Sequence, residues 1–151
     1  MTTRCSGLEI GPLGDADRAR WEVLARGYKT FYKTPVSDAD LERTWRRLLR
    51  ADRTHALGAR LDGRLVGIAH FLFHPAVWTD DVCYLQDLFV DAGARGQGVA
   101  RALIEHVAEA AARRGAPRFY WLTAVDNAVA RALYDKVAQY RGFIRYDHPL
   151  G

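Results

Sequence analysis

The 151-residue sequence predicts an α/β (α+β) fold, a mixed central sheet with helices on both of its faces. Three observations carry this. Helical and strand periodicities alternate along the chain. The stretch 82–90, VCYLQDLFV, is apolar at nearly every position, as suits a strand covered on both faces. Directly after it, residues 93–98 place three glycines and an arginine ahead of a long amphipathic stretch, which reads as a strand, a tight turn and a helix start. With 49% hydrophobic residues and no repeat or Pro/Gly/Ser linker, a single domain is expected over residues 1–151.

Each element has its own signal. LEIGPL (8–13) is a short strand. Asp15 is placed to cap a helix in which Trp21, Leu24, Ala25, Tyr28 and Phe31 or Tyr32 recur at helical spacing, and Pro35 closes it. Ser37-Asp38-Ala39-Asp40 is a capping-box variant, with Leu41, Trp45, Leu48 and Leu49 as the apolar face behind it. HALGARL (55–61) and RLVGIAHFLFH (64–74) flank Asp62-Gly63, a two-residue hairpin signal. After the strand 82–90 a helix runs to about Arg114, with Ala100, Leu103, Ile104, Val107 and Ala111 on one stripe. RFYWLTAV (118–125) is a further strand, Asn127 caps a helix carrying Ala130, Leu133, Tyr134 and Val137, and GFIRYDH (142–148) is a last strand.

Composition narrows the function classes. The formal charge is +4, but the arginines are scattered through helical stretches such as RTWRRLLRADR (43–53). That pattern reads as solvated helix faces rather than a nucleic-acid arm, so nucleic acid is not expected as a partner. No apolar run reaches the ~18 residues of a membrane span, and the N-terminal stretch lacks a signal-peptide core. A soluble, cytoplasmic protein with reduced thiols is expected. Cys5 and Cys83 have no metal spacing and no base pattern beside them. His70 and His74 share a strand face but lack a third ligand, so no metal is expected.

The glycine turn points to an anion. The first N–H groups of a helix have no intrahelical acceptor, and the helix dipole adds partial positive charge there. Gly96 and Gly98 leave the backbone bare, and Arg95 can add a charge-assisted bond. Two phosphate motifs fail. A G-x-G-x-x-G fingerprint begun at Gly96 needs glycine at 101, where the chain has Arg101, and no Gly-Lys-Ser/Thr is present.

What does fit is Arg95-Gly96-Gln97-Gly98-Val99-Ala100, which matches Arg/Gln-x-x-Gly-x-Gly/Ala between an apolar strand and an amphipathic helix. NAVARALYDKV (127–137) followed by GF (142–143) matches Asn-x-x-Ala-x-x-Leu-Tyr-x-Lys…Gly-Phe. Together they resemble the GNAT N-acetyltransferase superfamily, over roughly residues 7 to 148. YKTFYKTP…TWRRL, HPAVW and YLQDLFVD are similar to its diamine and histone acetyltransferase-like branch.

The resemblance implies acetyl-coenzyme A as co-substrate and direct acetyl transfer to an amine. Residues Arg95 to Ala100 would cradle the pyrophosphate, and backbone groups of Leu88, Phe89 and Val90 would pair with the pantetheine arm. Asn127 would contact the pantetheine or its phosphate end, and Tyr134 would protonate the departing thiolate. A phenol with a pKa near ~10 suits that donor role. Tyr28, Phe31, Tyr32, His74 and Trp78 would shape the acceptor pocket, with Gln86 and Asp87 contributed by the strand.

Asp87 is an acid inside an apolar strand and needs either a partner or a function. It could be a general base, an anchor for a substrate ammonium, or a structural hydrogen-bonding group. The branch commonly carries Leu-Glu-Asp where this chain has Leu85-Gln86-Asp87. Gln86 takes no proton, so a base role there does not transfer. The acceptor stays open among polyamine, amino acid, antibiotic amine and protein lysine or N-terminus. Two other classes remain: a non-catalytic coenzyme A-binding domain and a small basic nucleic-acid module. The chain ends one strand after the tyrosine-bearing helix, where relatives have a hairpin, and the exposed edge this implies predicts a homodimer.

Overall fold

The computed structural model describes residues 7–151, so Cys5 lies outside the described residues. The chain divides into two compact units, one ending at Trp121 and one beginning at Leu122. The first unit contains, in order, β1 (Leu8–Gly11), α1 (Arg18–Phe31), α2 (Asp38–Arg50), β2 (Thr54–Leu61), β3 (Arg64–His74), β4 (Val82–Val90), α3 (Val99–Arg113) and β5 (Phe119–Trp121). The five strands form one sheet in chain order. β1 to β4 are antiparallel, and β5 lies parallel to β4 across the α3 crossover.

Local chemistry places each boundary. Ser37 and Asp40 close a reciprocal capping box at the start of α2: the Asp40 amide donates to Ser37 Oγ at 3.0 Å and the Ser37 amide to Asp40 Oδ2 at 3.1 Å. Asp62 and Gly63, at φ 51° and 83°, make the tight turn between β2 and β3 that their pairing foretells. Asp15 does not cap α1. It opens a 3-10 turn, and the Asp17 carboxylate accepts from the Gly14 amide at 2.8 Å.

Successive residues of β3 face opposite sides of the sheet and so serve two layers. Ile68 packs with Trp21, Leu24, Leu41, Trp45 and Leu48, the buried faces of α1 and α2. The Trp21 and Trp45 ring centroids lie 5.1 Å apart. Gly67 faces the other way: a Cβ on it would sit 2.9 Å from Val99 Cγ1 and 3.2 Å from Leu103 Cδ1, both on α3. Helices thus cover both faces, and His70, in phase with Ile68, lies on the α1 side.

Two expected strands differ. RFYWLTAV shortens to Phe119–Trp121, because β4 offers β5 a partner only over Cys83–Leu85. GFIRYDH does not form a strand. It carries no regular secondary structure and is exposed, no strand of the sheet pairs with it, and its first residue, Gly142, stands at φ 81°. In the second unit α4 (Ala128–Val137) starts as anticipated, with the Asn127 side chain accepting from the Ala130 amide at 3.4 Å and donating to Thr123 Oγ1 at 3.2 Å.

The close approach at Gly67 sets a stability prediction. Gly67→Ala forces a methyl against α3 and is expected to cost about 1–3 kcal/mol. It should lower the urea midpoint with an unchanged denaturant slope, and an unchanged midpoint would show that α3 yields without cost.

Candidate active site

The site begins with an irregularity in β4. Pairing with β3 runs Ala69 to Leu88 and His70 to Asp87, then Phe71 to Leu85, so Gln86 is an extra residue without a partner. The bulge puts Asp87 opposite His70 on the α1 face of the sheet. It also comes directly after the last pair that β4 makes with β5, Leu85 with Trp121.

Asp87 sits at the end of a hydrogen-bonded chain. Trp21 Nε1 donates to His70 Nε2 at 3.0 Å, and His70 Nδ1 meets Asp87 Oδ2 at 2.8 Å. An indole N–H can only donate, so His70 Nε2 is the acceptor and the ring proton sits on Nδ1, donating to the carboxylate. The Tyr28 hydroxyl donates to the same carboxylate. Burial pushes the Asp87 carboxyl up, but the bonds from His70 and Tyr28 and the charge of Lys29 outweigh it and hold the group below the usual carboxylate range. The Tyr28 phenol moves the other way, driven above its ordinary value first by burial and then by the charge of Asp87. The pair is thus fixed as an ionised acid and a protonated phenol.

Between α1, α2 and the sheet lies a cavity of about 190 Å³, bordered by Tyr28, Lys29, Arg47, His70, Gln86 and Asp87. Other residues expected at the acceptor site lie elsewhere. Phe31 and Tyr32 are exposed at the end of α1, where Tyr32 contacts Tyr28 with ring centroids 4.8 Å apart. Trp78 is 94% exposed on the loop before β4. His74 accepts from the Tyr120 hydroxyl at 2.8 Å and donates to the Pro75 carbonyl at 2.9 Å, away from this cavity. His70 and His74 therefore serve different partners, and among the described residues no cluster of three His, Cys, Asp or Glu side chains forms a metal site. Cys83 is buried, which pushes its thiol up to about 11 and makes it a poor nucleophile.

Beyond the bulge β5 no longer pairs with the other edge of β4. The Asp91 amide bonds the Val66 carbonyl of β3 at 2.8 Å. Alternation then turns the Phe89 amide toward β3 and those of Leu88 and Val90 toward the edge that β5 no longer covers. The chain next turns into α3 through Gly96 and Gly98, at φ 78° and 77°. A Cβ at either would meet nothing within 4 Å, so glycine is required there by conformation, not by space. Gly98 is the N-cap and provides no side-chain acceptor, which leaves the first amides of α3 available to an anion. Arg95 is exposed beside them, Gln97 is exposed in the turn, and Val99 is buried beneath it. Tyr134 lies on α4, two turns beyond its Asn127 cap.

A strand edge, a glycine turn and a helix start thus follow one another along the chain, and comparison with known proteins shows the family to which that chain belongs. The family model of the acetyltransferase (GNAT) family matches residues 21–139. A D-amino-acid N-acetyltransferase of Saccharomyces cerevisiae is 37% identical over 128 residues, covering 81% of this chain and 78% of that protein. The thialysine N-epsilon-acetyltransferase of Mus musculus is 30% identical over 116 residues, covering 77% and 68%. Among solved structures, a ribosomal-protein-alanine N-acetyltransferase of Brucella melitensis superposes with a TM-score of 0.79 at 25% identity, over 96% of this chain and all of that one. The aminoglycoside acetyltransferase AAC(6')-Iy with a coenzyme A bisubstrate analogue superposes at 0.85 over 97% of this chain and all of that one, a likeness of fold at 19% identity. The chain belongs to the GNAT family and is an acetyltransferase.

The Asp87 network carries a stability signature. Its folded-state pKa lies below the unfolded value, so its stabilisation is present above the ordinary carboxylate range and lost as pH falls through the folded value. Asp87→Asn should cost about 1–3 kcal/mol near neutral pH. The gap to wild type in urea unfolding should narrow toward pH ~3, and a gap that does not depend on pH would separate the carboxylate from the fold's acid sensitivity.

Proposed function

We propose that the protein transfers the acetyl group of acetyl-coenzyme A directly to a primary amine of a small molecule. The observation that carries this reading is an ionised, donor-held carboxylate at the floor of a cavity, one residue before an unpaired strand edge that leads into a glycine-turned helix start. A cavity of about 190 Å³ is smaller than the ~300–1,000 Å³ of ordinary ligand pockets, which favours a compact acceptor over an antibiotic or a folded peptide. Two curated relatives are named for D-amino acids and for thialysine, which supports a small amine acceptor.

The donor would bring an acetyl thioester to the β4 edge. Leu88 and Val90 present backbone amides there, with Phe89 holding the strand to β3, and the amide of Val90 is suited to face the thioester oxygen. The turn from Arg95 through Gly96, Gln97 and Gly98 to Val99 and Ala100 holds the pyrophosphate. Asn127 orders the start of α4, and Tyr134 is the proton donor.

A carboxylate has about four lone-pair sites, and His70 and Tyr28 occupy two of those on Asp87. The remainder hold the acceptor's ammonium, and a carboxyl kept below its usual range is an anchor rather than a base. The bound ammonium loses a proton to water, and its nitrogen forms the C–N bond as the C–S bond breaks, giving up a second proton to solvent to leave the neutral amide. The thiolate takes a proton from the Tyr134 phenol, which recovers one from solvent. Catalysis should therefore rise with pH through the titration of the amine.

A turnover screen with acetyl-coenzyme A across polyamines, amino acids, aminoglycosides and lysine peptides, read as thiol release, tests the reading. Tyr134→Phe is expected to lower kcat about 10²-fold or more. Unchanged turnover at every pH would remove the donor role, and coenzyme A binding without thiol release on any amine would overturn the transfer reading.

The same reading includes assembly as a homodimer. The sheet ends at the three-residue β5, and Phe143, Ile144 and Tyr146 are exposed, surfaces that a second copy covers. Sedimentation equilibrium at micromolar concentration should give twice the mass of one chain, and a single-chain mass refutes it.

A further inference from the structure

We propose that Arg47, on α2, selects the acceptor: its guanidinium takes a carboxylate while Asp87 takes the ammonium, so the substrate is an amino acid rather than a polyamine or a simple alkylamine. This rests on the acetyl-transfer reading of the same cavity and names the class of molecule that enters it.

The charge pattern of the cavity carries the inference. Three side chains of formal charge border it: Asp87, Lys29 and Arg47. His70 spends both ring nitrogens inside the protein, on Trp21 and on Asp87, and offers neither to a ligand. With Lys29 set against Asp87, the anion and the Arg47 cation complement a zwitterion. A diamine in the same space would set its second ammonium against Lys29 and Arg47, and that repulsion discriminates as effectively as an attraction.

Two arginines of α2, Arg47 and Arg50, have no carboxylate partner among the described residues, and of these only Arg47 borders the cavity. Arg43 pairs with Asp40 and Arg46 with Glu42. On α1, Arg18 pairs with Glu22 and Glu42, and Arg26 pairs with Glu22 and Asp38. Helix geometry accounts for the position of Arg47. Leu41, Trp45 and Leu48 form the buried stripe of α2, and Thr44 and Arg47, three residues apart, flank that stripe where it borders the cavity. Arg47 is exposed at the cavity's border, and a guanidinium's planar fork matches a carboxylate bidentately. Lys29, 6.0 Å from the centroid of the Tyr28 ring and already counterbalancing Asp87, has less charge to spare.

The test compares each amino acid with its decarboxylated counterpart: D- and L-lysine with cadaverine, D- and L-alanine with ethylamine, D- and L-phenylalanine with phenethylamine. Wild type should favour the carboxylate-bearing member of at least one pair by about 10- to 100-fold in kcat/KM. Arg47→Ala should abolish that preference by lowering kcat/KM for the amino acid, leaving the plain amine unchanged or improved, and Arg47→Lys should restore part of it. Calorimetric titration of the same pairs onto the full chain without donor repeats the comparison as binding. Acetyl transfer to amines with no carboxylate preference, or an equal loss on both members in Arg47→Ala, overturns the assignment while leaving the transfer reading intact. A preference in binding that Arg47→Ala removes, with no thiol release on any amine, upholds Arg47 and fails the transfer reading. Failure of every amino acid both to bind and to react overturns the assignment.

Discussion

Between His70 and Phe71 the register of β3 against β4 steps by one residue, and the candidate site is built on that step. Were Gln86 paired with His70 in regular alternation, Asp87 would fall opposite Ala69 on the α3 face, where Val99, Leu103 and Val107 leave no polar partner. With Gln86 unpaired, the carboxylate meets His70, and the strand is free of β5 from the next residue onward. The carboxylate's placement and the end of the β5 ladder thus meet within two residues of one strand.

The buried carboxylate needs donors, and the fold supplies them from elements far apart in sequence. Trp21 and Tyr28 come from α1, two helical turns apart on one face, and His70 comes from the facing strand. Each donor also fixes the next. Trp21 decides the tautomer of His70, His70 and Tyr28 keep Asp87 ionised, and Asp87 in turn keeps Tyr28 protonated. On the proposed reading the result is an anchor of settled charge at neutral pH, which binds an ammonium without competing for its proton.

Much of this was legible in the sequence, for physical reasons that differ by element. The strands 64–74 and 82–90 and the Asp62-Gly63 turn were readable because burial and hairpin chemistry are local. The glycine turn was readable because φ near +77° is written in residue identity. Asp87 stood out as an acid in an apolar strand, but its partner did not. Without pairing register, His70 is one of two histidines on a strand face, and a one-residue bulge has no sequence signature here. Arg47, in RTWRRLLRADR, reads as a solvated helix charge, since only the packing of α2 on β2 and α1 on β3 and β4 makes a cavity beside it. GFIRYDH went wrong for the converse reason. Its composition suits a strand, but a strand exists only where another offers a ladder.

Trp21 belongs to two systems at once. It is 0% exposed, the centre of the apolar cluster under α1 and α2, and its single polar atom begins the hydrogen-bond chain that ends at Asp87. Sequence drift in most cores needs only to conserve volume and greasiness. Here that freedom is withdrawn at one position: phenylalanine or leucine would fill the space yet orphan His70 Nε2, releasing the ring to flip. The interior therefore carries chemical information as well as shape, and an engineer repacking it for heat resistance would be editing the acceptor site from beneath.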